Sequence, residues 1–253
     1  MLYVAELSGL LFNNQRGKQR PEWNRTRLVE NRVKKTGFYE EKGVFRKEKF
    51  FQGRPIIGRD RKVDGGVYLG GSEREAVVAD GKKDPAIEEV YQELKRRRMQ
   101  AQTQRGVSFK EGLLEEVWRL VRQVMPYNEQ KVQNIVESLP KPDTKIYLSA
   151  FIGGGVCRHQ ALLTAYLLER LSEEKLVGGK VSVDRNYVPG KGGHAWVRYE
   201  NSVGDVFILD PAQNYIGRLD EMSEERDRWF YERPEDTNPG LRILSKLKRM
   251  FGI

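Results

Sequence analysis

The chain has 253 residues, with 45 Lys and Arg against 36 Asp and Glu, a formal net charge of +9 and 32% charged residues. That length supports one or two domains with a buried core, and such a charged composition predicts a heavily solvated surface. No apolar run approaches the roughly 20 residues of a membrane span; the stretch from Met1 to Phe12 contains Glu6 and has neither a basic leader nor a small-residue cleavage site.

A single cysteine excludes an internal disulfide, so the expected location is the cytoplasm. Charge is uneven along the chain. Residues 1–60 hold 8 Arg and 6 Lys against 6 Glu and 1 Asp, so +7 of the +9 lies there. The first reading of that run is a solvated segment; the second is an arm that contacts nucleic acid, anionic lipid or an acidic protein. Aromatic residues such as Trp23, Phe38, Tyr39 and Phe50 interleave with the charges, which argues against a purely polar tail.

From Met1 to about Asp84 the sequence is punctuated by glycine, with Arg54–Gly58 and Gly66–Gly70 reading as short strands or extended loops. Asp84-Pro85 reads as an N-cap with proline at the first helical position, and Ile87, Val90, Tyr91 and Leu94 share one face up to the basic run Lys95–Arg98. Met99–Gly106, rich in Gln, is the expected linker, dividing a basic N-terminal region (1–105) from a catalytic domain (106–253).

Ser108–Glu111 reads as a capping box ahead of a helix with the stripe Leu114, Val117, Trp118, Val121 and Met125, stopped by Pro126. A second helix uses Val132, Ile135, Val136 and Leu139 and ends at Pro140-Lys141-Pro142. Lys145–Ala150 is expected as a strand. A glycine run, Gly153-Gly154-Gly155, then delivers Cys157 to the start of a helix reaching about Glu174. Lys180–Val188, His194–Glu200 and Asp205–Leu209 have strand composition and glycine-bearing connections, predicting an antiparallel sheet. Asn238-Pro239 starts a last helix, whose apolar side, Leu241, Leu244, Leu247 and Phe251, is expected to pack on the domain.

Three motifs carry chemistry: Gly155-Val156-Cys157-Arg158, Gly193-His194-Ala195-Trp196-Val197 and Leu209-Asp210-Pro211. A thiolate is the reactive form of cysteine, a helix N-terminus and a neighbouring imidazolium both favour it, and a carboxylate holds the imidazole in the useful tautomer. Each motif also has a structural explanation: a small buried thiol, a turn histidine and a strand exit. Their combination and order point to catalysis.

Over about Ser108 to Gly217 the chain resembles the transglutaminase-like family of the papain-like cysteine enzyme superfamily. The resemblance implies an α+β fold with the cysteine at the N-terminus of a central helix packed on an antiparallel sheet. It also implies Cys157 as nucleophile, His194 as general base and acid, and Asp210 as the residue that orients His194. The implied reaction is acyl transfer from an amide of a protein or peptide substrate through a thioester, with hydrolysis (peptidase or amidase) the favoured outcome. Glutamine cross-linking or deamidation uses the same three side chains, and a non-catalytic module that binds through residues 1–60 is the alternative of a different class. The Cys157 N–H is one oxyanion donor. Trp118 and Tyr147 lie where the family can supply a second, although Trp118 falls on an apolar stripe.

No cofactor is expected. Zinc is disfavoured because Cys157 and His159 project to different helix faces and there is neither a second cysteine nor a His-x-x-x-His pair. His159 reads instead as a helix-surface residue or a supporting neighbour, and Arg158 as a group that favours the thiolate or binds a carboxylate. Gly190-Lys191-Gly192-Gly193 precedes a strand and lacks the Lys-Ser/Thr ending of a phosphate loop, so nucleotide binding is not expected there. Asn214 and Tyr215, just past Asp210, are candidates to line the cleft.

Overall fold

The computed structural model describes residues 21–43, 48–70, 74–106, 108–190, 192–222 and 228–237. In chain order, α1 (Arg25–Val33) leads into the antiparallel strands β1 (Tyr39–Lys42), β2 (Glu48–Phe51) and β3 (Arg54–Pro55). Next come β4 (Gly66–Leu69), β5 (Ala76–Ala79) and the helices α2 (Pro85–Arg105), α3 (Leu113–Val124) and α4 (Glu129–Glu137). β6 (Lys145–Tyr147) pairs in parallel with β5, so β4, β5 and β6 form a mixed sheet. The chain continues through α5 (Cys157–Glu173), β7 (Lys180–Val188), β8 (Gly192–Glu200), β9 (Val206–Asp210) and β10 (Tyr215–Arg218) to the short helices α6 (Arg228–Tyr231) and α7 (Pro234–Thr237). The fold class is α+β.

The second half positions the site. Strands β7 to β10 form a four-stranded antiparallel sheet in sequential order, with Val183 opposite Val197 and Val197 opposite Leu209. α5 lies against this sheet, and every residue from His159 to Leu168 is buried. A helix covered on all sides needs partners for its polar groups. Gln160 Nε2 donates to Met125 O at 2.8 Å, Thr164 Oγ1 to Gln160 O at 2.8 Å and Tyr166 OH to Glu88 Oε2 at 2.6 Å. One apolar cluster joins Ile57, Val77, Ile87 and Leu94 from the first part of the chain to Val117, Leu163, Val183, Val197 and Leu209 from the second. No described helix is long and apolar enough to cross a membrane.

Several local expectations change. Met99–Arg105 is not a linker but the last two turns of α2, because Met, Gln, Ala and Arg are good helix formers and the stop comes only at Gly106, at φ +65°. Arg98 is more than a dipole-complementing cation: it is buried and donates to Phe109 O at 3.1 Å and Ser108 O at 2.9 Å, tying α2 to the next connection. Ser108–Glu111 is a turn rather than a capping box; α3 starts at Leu113, after Gly112 in the left-handed region. The strand expected over Lys145–Ala150 ends at Tyr147, where a 3₁₀ turn begins and the Ser149 N–H donates to Asp84 Oδ2 at 3.0 Å. The helix expected from Asn238 lies outside the described residues.

Candidate active site

Cys157 is placed by backbone that side chains would forbid. Gly153 sits at φ +80°, and a Cβ on Gly155 would lie 2.8 Å from Met125 Cγ. That close approach lets the Gly155 N–H donate to Pro126 O at 3.0 Å while Gly155 O accepts the Asn128 N–H at 2.8 Å. The glycine run is thereby sewn to the connection between α3 and α4. Val156 is extended, at φ −123° and ψ −179°, and the helix begins at the next residue, so the half-buried Cys157 stands in the first turn of α5.

His194 and Asp210 come from the sheet on which α5 rests. β8 carries His194 opposite Asn186, and Asp210 is the last residue of β9. His194 Nε2–H donates to Asp210 Oδ2 at 2.5 Å, and His194 and Cys157 line one cavity, close enough for their charges to interact. Asp210 is fully buried and held from two further sides: Tyr231 OH donates to Oδ2 at 2.8 Å and the Gln213 N–H to Oδ1 at 3.1 Å. Trp196 stacks on the imidazole at 5.9 Å between centroids, and Phe230 meets it at 5.7 Å. The structure therefore brings together all three residues singled out in the sequence.

Their environment separates charge. Burial by itself would raise the Cys157 pKa, but His194 beside it, with smaller contributions from Arg158 and the Ala195 backbone, holds the thiol below its ordinary range. Burial would likewise depress His194; the Asp210 and Cys157 charges outweigh it and raise the imidazole well above its usual value. The arrangement favours a thiolate next to an imidazolium.

The other histidine has a different role. His159 is not on the helix surface but wholly buried and stacked on Phe151, with ring centroids 3.6 Å apart. Its Nδ1 accepts the Val156 N–H at 3.1 Å, so Nε2 carries the proton and donates to Glu75 Oε1 at 3.0 Å. Arg158 Nε donates to the same oxygen at 2.6 Å. Burial pushes His159 down to about 4, and Glu75, which burial alone would raise, is drawn down to about 2 by His159 and Arg158.

A cavity of about 340 Å³ opens at Cys157. Its walls come from α5, from β7 and β8 around Arg185, Asn186 and His194, from α1 through Arg25, and from Tyr68 and Arg74. Asn214 and Tyr215 do not line it: Asn214 accepts a hydrogen bond from Arg122, and Tyr215 stacks on Tyr231 at 5.8 Å. Trp118 packs at the margin of the core under Arg122, and Tyr147 faces a separate depression beside Lys83 and Lys145, so neither stands at the Cys157 cavity.

Sequence reasoning missed five residues at the site. Tyr231, Arg25, Arg74 and Arg185 carried no motif. Tyr127, bridged to Gly155 and close enough to Cys157 to feel its charge, was also unmarked apart from following Pro126. Comparison of the chain with protein-family models, with curated proteins and with solved structures finds no match.

Proposed function

We propose that this protein is a cysteine-dependent acyl-transfer enzyme that hydrolyses an amide bond of a peptide or protein through a thioester, in the manner of the transglutaminase-like and papain-like enzymes its motifs resemble. The observation that carries the reading is the juxtaposition of Cys157, His194 and Asp210, with His194 hydrogen-bonded to Asp210, the thiol lowered and the imidazole raised. In the first half-reaction the Cys157 thiolate attacks the amide carbonyl carbon, and the resulting oxyanion is met by the Cys157 N–H at the open end of α5. The C–N bond then breaks as His194 gives its proton to the leaving amine, which leaves an S–C acyl bond. In the second half-reaction His194 takes a proton from water, the hydroxide equivalent adds to the thioester, and the S–C bond breaks to release a carboxylic acid and the thiolate.

Water is the acceptor that suits this cleft. Among the described residues four arginines line the cavity and no carboxylate does, so a protonated lysine side chain would approach against like charge. The same reading puts the enzyme in the cytoplasm, where a lone catalytic thiol stays reduced.

Alkylation by iodoacetamide tests the nucleophile without knowledge of the substrate. Cys157 in the full chain should react faster than free cysteine at neutral pH and lose less of its rate than free cysteine does on going to pH 6, because its pKa is lowered while that of His194 is raised. His194→Ala should cut the pH 6 rate at least about tenfold, the effect of a pKa change of one unit or more. A Cys157 rate that tracks free cysteine across pH, and that His194→Ala does not alter, would sink the catalytic reading and favour a binding module.

A further inference from the structure

We infer that the arginines around Cys157 form a carboxylate-recognition subsite, and that the acyl donor is a peptide with an acidic group beside the amide to be cleaved. The inference rests on Cys157 being the nucleophile and names the class of substrate it attacks. Arg25, Arg74, Arg158 and Arg185 all line the cavity that contains Cys157, and of these only Arg158 pairs with a carboxylate among the described residues, Glu75.

Arg185 is the anchor. It is only 7% exposed, yet its Nη2 is buried without a hydrogen-bond partner among the described residues. The rest of its guanidinium is fixed: Nη1 donates to Leu69 O at 2.5 Å, Nε to Thr26 Oγ1 at 3.1 Å, and the group lies over the Tyr68 ring at 4.8 Å. An immobilised cation with an unused donor is costly to keep unless something negative arrives to use it. Because the group is already ordered, an arriving anion meets little further entropic cost. Arg158, adjacent to Cys157, likewise has a buried Nη2 without a partner. Arg25, stacked over Tyr187 at 3.8 Å, and the exposed Arg74 add positive potential at the rim.

Asn186 separates an acidic peptide residue from a donor-free carboxylate. Its Nδ2 donates to Phe230 O at 2.9 Å, which fixes the amide orientation, and its buried Oδ1 is left without a donor. One cavity thus offers unused cationic donors and one unused acceptor. An acidic residue with its neighbouring backbone N–H supplies a complement to both, whereas a carboxylate with no donor beside it complements the cations alone.

Iodoacetate and iodoacetamide provide the test, because they differ only in carboxylate against carboxamide and both lose iodide to the Cys157 sulfur. The expected result is an iodoacetate-to-iodoacetamide rate ratio at least tenfold above that of free cysteine, falling as salt is raised. N-acetylglutamate α-amide, which carries a side-chain carboxylate and a backbone N–H, should slow alkylation of Cys157 more than equimolar glutarate or inorganic phosphate does. Arg185→Gln should bring the ratio close to that of free cysteine, and Arg74→Gln, at an exposed position, should lower it about twofold to threefold; taking a ratio cancels any change in thiolate population. A wild-type ratio equal to that of free cysteine, or protection by phosphate but not by N-acetylglutamate α-amide, would overturn the carboxylate subsite even if iodoacetamide reacts rapidly and the nucleophile stands. Slow reaction with both reagents would overturn the nucleophile and the subsite together.

Discussion

Asp210 can orient His194 only because its own carboxylate is immobilised. The Tyr231 hydroxyl and the Gln213 N–H occupy its two oxygens, leaving one direction for the imidazole. A hydrogen bond to a charged acceptor contributes about 1.5–3 kcal/mol, and losing it lets the carboxylate turn away from the productive geometry. Tyr231→Phe keeps the ring that packs against Trp196 and removes only the hydroxyl. The expected outcome is a drop of about tenfold in Cys157 alkylation at pH 6 with a melting temperature lowered by only a few degrees. Unchanged alkylation would show that Gln213 and the strand end hold Asp210 without help.

The first turn of α5 depends on a neighbouring sheet for its electrostatics. Glu75, immediately before β5, receives both Arg158 Nε and His159 Nε2 on one oxygen, and its side chain is completely buried. Its folded pKa of about 2 lies below its ordinary value of 4.5, so its stabilisation is present above 4.5 and is lost as pH falls towards 2. His159, at about 4 against 6.5, acts in the same direction: the unfolded chain takes up a proton between those values that the buried ring refuses. The stability contributed by these two groups should therefore decline progressively from about pH 6.5 to pH 2. Glu75→Gln should lower unfolding free energy at pH 7 by on the order of 3 kcal/mol, with the gap from wild type closing in acid. Urea titrations at pH 7 and pH 3 measure it, and a gap that is constant with pH would refute the assignment.

Across the whole molecule, distant segments are clamped together by one buried cation. Arg233, in the last described segment, donates to Asp184 Oδ2 on β7 at 2.7 Å, to Asp60 Oδ1 in the connection before β4 at 3.0 Å, and to Ser182 Oγ at 2.9 Å. Asp184 is fully buried. Removing one partner of such a pair strands the other's charge, at a cost of about 3–5 kcal/mol. Arg233→Met should therefore destabilise by that amount in urea unfolding, whereas the double change Arg233→Met with Asp184→Leu should recover most of the loss. Equal stability of the single variant and wild type would mean that the clamp does not hold these segments.

Cys157, His194 and Asp210, the helix that Cys157 opens and the strands β7 to β9 were legible in the sequence because each is written locally: a glycine run before a helical period, strand-favouring composition between glycine-bearing connections, a Leu-Asp-Pro strand exit. Helix limits were less legible. Capping chemistry at Ser108 and a Gln-rich composition at Met99 were overridden by Gly112 and by the helix propensity of the residues up to Arg105. Only the tertiary structure decided which polar groups meet: Glu75 with His159, 84 residues apart, Tyr231 with Asp210, 21 apart, and Arg25 with the cavity at Cys157. The physical reason is that a buried charge takes its partner from whatever the packed core brings within about 3 Å, and sequence separation sets no limit on that choice.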